Sequence, residues 1–180
     1  MSAGPRIPPG SLREIGLFAF AFSRIAGVVS KTNPPNLFTT MGRQRGLFRG
    51  WLFFAGRLMP GGKLPRRESE LVILRVATLA DCEYERVHHV RLGKRAGLTD
   101  AEIARVADGP AADGWSARER ALLSAVDELH ATRDLSDDTW ATLRGHLDEP
   151  RLIELLFLAG HYEMLATAIN TLRLQTDRSR

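Results

Sequence analysis

Glu70–His89, ELVILRVATLADCEYERVHH, is the stretch whose reading decides both fold and function. It opens with a carboxylate and continues as an apolar run, Leu71 to Ala80, interrupted only by Arg75 and Thr78. It then presents Cys82, Glu85 and His89, spaced three and four apart. On an α-helix that spacing stacks the three side chains along one face. A thiol, a carboxylate and an imidazole on one stripe are reactive groups, whereas the run before them has the character of core.

Working outward, the punctuation of the chain is helical throughout. Ser11 with Glu14 reads as a capping box opening a helix to about Val28. Lys31–Asn36 (KTNPPN) breaks it, since two prolines do not continue a helix. A short helix covers Leu37–Gly42, and an apolar one covers Leu47–Leu58 (LFRGWLFFAGRL) as far as Pro60-Gly61-Gly62. Pro65 suits the first position of the helix that carries the apolar run, with Glu68 and Glu70 in its early turns, and that helix stops near Asp81. The next runs to about Ala96 and is capped by Gly97. Capping boxes at Thr99/Glu102 and Ser116/Glu119 open helices to Ala107 and about Ala131, with a loop at 108–114 between them. Ser136 opens another helix to about His146, and Pro150 starts a last long helix to about Leu174. No period-two alternation of useful length occurs. The expectation is an all-α fold of about eight helices, with a flexible lead at 1–10 and a single domain at 11–180.

Composition bounds the function classes. The 180 residues are 44% hydrophobic and 26% charged, with a net charge of +4, which fits a globular protein with a sizeable core. No compact basic stripe with interleaved aromatics is present, so nucleic acid is not expected as a partner. The apolar run Ile15–Phe22 (IGLFAFAF) is eight residues, far short of the roughly 20 that span a bilayer. It reads as a buried helix, with a signal peptide or a membrane-surface helix as the lesser alternative, and no membrane partner is expected. A single cysteine, Cys82, excludes an internal disulfide framework and suits a reducing, cytoplasmic location.

The block PRRESELVILRV…CEYERVHHVRLGKRAGLTDAEIARV, Pro65–Val106, resembles the carboxymuconolactone decarboxylase family, which includes the alkylhydroperoxidase D-like proteins. The likeness extends more loosely over Leu37–Leu58 and over Trp140–Asn170 with its Ala-Gly-His-Tyr segment. It implies an all-α, alkylhydroperoxidase D-like fold that assembles as trimers or hexamers. The peroxidase branch pairs a glutamate with Cys-x-x-Cys and a histidine four residues on. Glu70, Cys82 and His89 match that pattern, and Glu85 stands where the second cysteine would be. One thiol does not close a disulfide cycle within the subunit. The decarboxylase branch is similar at Glu85 and His89, its Glu-x-x-x-His.

The residues themselves suit acid–base chemistry. Glu85 and His89 are i,i+4 neighbours, close enough for the carboxylate to hold the imidazole. A histidine so placed is able to protonate an enolate or abstract a proton beside a carbonyl. Glu70, on the preceding helix, is a candidate to orient His89 or serve as a second base. Arg75 is a candidate to bind a substrate carboxylate, or else a partner for Glu70 or Glu85. His88 points away from the stripe, and His161 and Tyr162 read as helix packing or a subunit contact. No second histidine has clear ligand spacing, so neither a metal nor another cofactor is expected.

Three classes of function follow: a cofactor-free enzyme acting through Glu85 and His89 on a small carbonyl, lactone or carboxylate; a thiol peroxidase using Cys82 with an external reductant; and a non-catalytic relative. A homo-oligomer, trimer or hexamer, is expected. The apolar surplus at Phe18–Phe22, Leu47–Phe54 and Leu152–Leu158 points the same way.

Overall fold

A computed structural model describes residues 4–178. The described residues form nine α-helices and one 3₁₀ helix, Val106–Ala111, with no strand among them. The expected all-α class holds, with nine α-helices instead of about eight. They are α1 Leu12–Ser30, α2 Asn36–Met41, α3 Arg45–Leu58, α4 Arg66–Leu79, α5 Glu83–Arg95, α6 Asp100–Arg105, α7 Ala117–Thr132, α8 Asp137–Arg144 and α9 Glu149–Leu172. The predicted capping boxes at Ser11/Glu14, Thr99/Glu102 and Ser116/Glu119 are all formed. The loop expected at 108–114 is in part the 3₁₀ helix, whose Gly109 has φ 77°.

The single domain expected at 11–180 divides into two compact units: residues up to Arg57 together with those from Ala168 onward, and Leu58–Thr167. In the smaller unit Ile15, Ala19 and Phe48 form a buried cluster, with Phe20, Phe22, Phe38 and Trp51 packed against it. The lead expected to be flexible at 1–10 is tied down where it is described. Arg6 N–H donates to Leu172 O (2.9 Å), Gly10 N–H donates to Thr39 O (3.0 Å), and Arg43 Nε donates to Pro8 O (3.0 Å). Met1–Ala3, the rest of that lead, lie outside the described residues.

In the larger unit α4 is the central helix. Every residue from Ser69 to Ala77 is buried, polar ones included. Ion pairs at its ends carry it to its neighbours. Glu68 takes a two-pronged bond from Arg118 of α7 (2.7 and 2.8 Å). Arg67 reaches Glu102 of α6 (2.6 Å) and Glu119 of α7 (2.8 Å). Glu154 of α9 accepts the backbone N–H groups of Lys63 and Leu64 just before α4 begins. These two contacts tie the chain leading into α4 to α9.

Arg75 is a structural residue of this core. Its Nε and Nη2 donate to both carboxylate oxygens of Asp127 (2.6 and 2.8 Å), and its Nη1 donates to the carbonyls of Val106 and Ala107 (2.7 and 3.1 Å). The role of substrate-carboxylate binder, or of partner to Glu70 or Glu85, therefore does not fit it. A buried guanidinium needs a full set of acceptors, and Arg75 finds them in α7 and the 3₁₀ helix. Gly109 completes the arrangement: a Cβ there would sit 2.6 Å from Arg75 Nη2. With its positive φ, this position excludes any residue that carries a side chain.

Helix α9 is long and apolar enough to cross a membrane by length and composition, and half of its most apolar window is buried inside the protein, as in a core helix.

Two substitutions test the Arg75 cradle. Asp127→Ala leaves a buried cation unpaired and is expected to cost about 3 kcal/mol, read as a lower urea midpoint. Gly109→Ala combines backbone strain with a clash and is expected to cost roughly 1–3 kcal/mol. A variant pair as stable as the parent would show that the cradle does not hold the core.

Candidate functional site

The turn between α4 and α5 sets the site. Helix α4 ends in a Schellman motif: Cys82 N–H returns to Ala77 O (2.8 Å) and Asp81 N–H to Thr78 O (3.2 Å). Asp81 takes the left-handed conformation, φ 48°, that this motif requires and that aspartate tolerates better than most residues. The chain reverses, and Cys82 becomes the residue capping α5, not a residue within it. Glu83 and Glu85 occupy the first turn of α5, and Lys94 and Arg95 the last, both favourable to the helix dipole.

Glu70, Cys82, Glu85 and His89 are all buried. His89 Nδ1 lies 2.7 Å from Glu70 Oε2, and Arg66 Nη2 lies 2.8 Å from Glu70 Oε1. Glu70 itself is 0% exposed. The carboxylate holding the imidazole is thus Glu70, from the preceding helix. The partnership expected of Glu85 with His89 does not form: the imidazole bonds Glu70, and the side chain that acts on Glu85 is the Cys82 thiol.

The reason is directional. Glu85 sits one turn before His89 on the same helix, on the side of Cys82, and their electrostatic effects fall on each other. Arg75 lies apart, bonded to Asp127. His88 stacks against Tyr84, 4.8 Å between ring centroids, away from the site as the spacing implies.

Tyr162 of α9 completes the cluster. Its ring stands perpendicular to that of His89, centroids 5.0 Å apart. Burial pushes the phenol's pKa up, and the charges of Glu70 and Glu85 add to the shift. The neighbouring His161 is also buried and makes a similar edge contact with Tyr162 at 5.2 Å. From the sequence both read as helix packing or a subunit contact, and the structure puts Tyr162 against the site imidazole. The Ala-Gly-His-Tyr segment was the only signal, because a tyrosine on an apolar helix has no spacing of its own that points to a site elsewhere.

Burial dominates the titration of this cluster. Glu85 is pushed up to about 8, first by burial and then by the charge of Glu163, with Cys82 pulling the other way. It is therefore a neutral carboxylic acid at neutral pH. Cys82 is pushed up to about 12, first by burial and then by Glu85, against the backbone N–H groups of Glu85 and Tyr84. Its thiol stays protonated despite its place at a helix start, where thiols ordinarily ionise more easily. His161 is pushed down to about 4 by burial and stays neutral. Glu163 belongs to a separate open cavity of about 440 Å³ lined from α4, α7 and α9, where its carboxylate meets His130 Nδ1 at 2.6 Å.

A buried carboxylate–imidazole pair, a neutral carboxylic acid and a phenol within one cluster form proton-transfer equipment. Residues 45–128 match the carboxymuconolactone decarboxylase family, the likeness read from Pro65–Val106, and the chain carries that segment on an alkylhydroperoxidase D-like fold. Similar solved structures share this fold at low identity. An alkylhydroperoxidase AhpD core, an uncharacterized peroxidase-related protein from Ralstonia eutropha JMP134, is 18% identical over 98% of this chain and 94% of its own, with a TM-score of 0.84. A peroxidase-related protein from Silicibacter sp. TM1040 is 13% identical over 97% and 95%, TM-score 0.83. The debrominase Bmp8, as a cysteine-to-alanine variant with 2,3,4-tribromopyrrole bound, is 15% identical over 97% and 93%, TM-score 0.81. Among curated proteins, none matches this chain in sequence.

The Glu85 shift carries a signed prediction. Its folded pKa, about 8, lies above the ordinary 4.5, so its contribution to stability is fully present below 4.5 and is lost as pH rises through 8. Glu85→Gln removes that loss. The variant is expected to gain stability relative to the parent as pH rises from 4.5 to about 8, by about 1.4 kcal/mol per unit of pH over part of that range, and to gain no more above it. Urea midpoints at pH 4.5, 6.5 and 8.5 measure it. A difference that does not change with pH would mean that Glu85 titrates normally.

Proposed function

We propose that this chain is a cofactor-free enzyme that moves protons on a small carbonyl, lactone or carboxylate substrate, with His89 and Glu85 as its acid–base groups. The observation that supports this most is the buried Glu70–His89 pair, 2.7 Å long, on the same helix pair as a buried carboxylic acid whose neighbour is the Cys82 thiol. Glu70 is the positioning residue. A carboxylate only accepts, so His89 Nδ1 carries the proton toward Glu70, and Nε2 is left to take a proton from substrate. Glu85, neutral at working pH, is placed to give a proton to the developing oxyanion or carbanion. Tyr162 walls the imidazole and limits its rotation.

A second reading is thiol peroxidase chemistry at Cys82, favoured by the contact of the thiol with Glu85 and by the peroxidase-related relatives. In that reading the thiolate attacks a hydroperoxide oxygen, the O–O bond breaks, and alcohol leaves as Cys82 becomes a sulfenic acid. An external dithiol then restores it: one sulfur condenses with the sulfenic acid and releases water, and the second displaces the Cys82 thiol as the reductant closes to a disulfide. A thiol held up near 12 speaks against it.

The two readings separate by experiment. Small lactones and keto acids are incubated with the protein in D₂O, and exchange beside the carbonyl or loss of CO₂ is followed by NMR. Hydroperoxide consumption is measured in parallel with dithiothreitol as reductant. His89→Ala and Glu85→Gln are expected to lower exchange or decarboxylation by roughly 10²- to 10⁴-fold, with Cys82→Ser near parental activity. Hydroperoxide turnover that dies with Cys82→Ser and survives His89→Ala would establish the thiol reading in its place.

For assembly, we propose a homo-oligomer built on the exposed stripe of α9, Ile153, Phe157 and Met164, whose spacing of four and seven keeps one helix face apolar toward solvent. Light scattering is expected to give a multiple of the 20.0 kDa chain, and Phe157→Glu to reduce it toward the monomer. A monomer at micromolar concentration would refute this assembly.

A further inference from the structure

The charges of this protein are sharply divided between its units. The smaller unit carries eleven lysines and arginines against two acids, a charge of +9, and Leu58–Thr167 carries fourteen against nineteen, −5, which together give the chain's +4. The two acids of the smaller unit are both occupied. Glu14 pairs with Arg43 at 2.8 Å, and Asp177 accepts the N–H of Asn36 at 2.8 Å.

The same unit exposes large apolar side chains. On α1 these are Leu17 at 75%, Phe18, Ile25 at 64%, Val28 and Val29. On α3 they include Leu47 at 61% and Phe53 at 69%. The two faces meet where Arg49 lies over the Phe18 ring, 5.3 Å from its centroid. Arg24 lies over Phe20 at 5.2 Å and Arg57 over Phe53 at 5.1 Å. Beneath the exposed layer the unit has its own core, with Phe48 fully buried. The exposed residues are therefore surplus to the packing of this unit.

We propose that this face is a docking surface for an anionic phospholipid membrane. Phenylalanine and aliphatic side chains enter the headgroup–acyl boundary, and the arginines lying over the rings reach back to the phosphates, as long cationic side chains do at a bilayer surface. A uniformly positive unit is drawn to an anionic leaflet by about fivefold in affinity for each cation near the surface. A second copy docking face to face would set cations against cations across a two-fold axis, and one docking this face on its −5 unit is the outcome that the Ile25→Glu arm of the test reads. Nucleic acid would meet the arginines, but Leu17, Ile25, Val28 and Val29 have no π-face on which a base stacks. The eight-residue apolar run at Ile15–Phe22 thus has its inner side in the core and its outer side for lipid. The expectation of no membrane partner, drawn from its length, excludes spanning and leaves surface binding open.

The test is cosedimentation of the full chain with vesicles of phosphatidylcholine alone and of phosphatidylcholine with phosphatidylglycerol, at about 50 and 500 mM salt, where screening lengths differ several-fold. Binding is expected only to the anionic vesicles, falling about tenfold or more at the higher salt. Ile25→Glu with Phe53→Ser, both exposed in the native protein, is expected to abolish binding without changing the circular dichroism spectrum. Arg49→Gln is expected to weaken it about fivefold. Equal binding to both vesicle types, or none to either, would overturn the proposal. So would an oligomer that Ile25→Glu dissociates, which would assign the face to a second copy. Retention of a single-stranded oligonucleotide in place of vesicles would assign it to nucleic acid.

Discussion

A carboxylate with no exposed surface has to be held by other groups, and in this protein the position of Glu70 fixes the site around it. Burying an ionised carboxyl costs several kcal/mol unless charge and hydrogen bonds compensate. Glu70 meets Arg66 one turn back on its own helix and His89 on the next. The second contact fixes α5 against α4 at one register, because a one-residue rotation of α5 would carry His89 off its face. Tyr162 then has one place to stand, against the imidazole. The geometry available for proton transfer is therefore set by an electrostatic requirement of folding.

The same logic extends along α4. Arg67 and Glu68 at its start and Arg75 within its buried stretch all tie it to α7, and Arg67 ties it to α6 as well. Apolar packing is tolerant of small slides, whereas two-pronged arginine–carboxylate pairs are not. The larger unit thus combines a non-directional core with directional ties, and the directional ones lie on the helix that carries the site.

Much of this was legible in the chain. Capping boxes and prolines placed most helix ends within a few residues, since those signals are local chemistry. The candidate residues Glu70, Cys82, Glu85 and His89 were legible because helical spacing is a fixed geometric rule. Which carboxylate holds the imidazole was not, because i,i+4 proximity on one helix competes with a contact across helices that no spacing encodes. Arg75 shows the same limit. Its acceptors are Asp127 and two carbonyls more than thirty residues away, so its role follows from tertiary placement alone. The nine-residue buried stretch of α4 was readable from its apolar run, but the separation of the chain into two units was not, since α9 runs continuously from one into the other.

The turn that carries Cys82 has a further consequence. The thiol is the chain's only one, buried at 1% exposure and protonated across the ordinary working range. At that burial, reagents are expected to reach it slowly while the turn is closed. Any labelling that does occur reports a moment when the Schellman turn between α4 and α5 has opened. The rate of that labelling, compared with a free thiol, gives the opening free energy of the site itself. The molecule carries a built-in gauge of local unfolding at the point where Glu70 and His89 are held together.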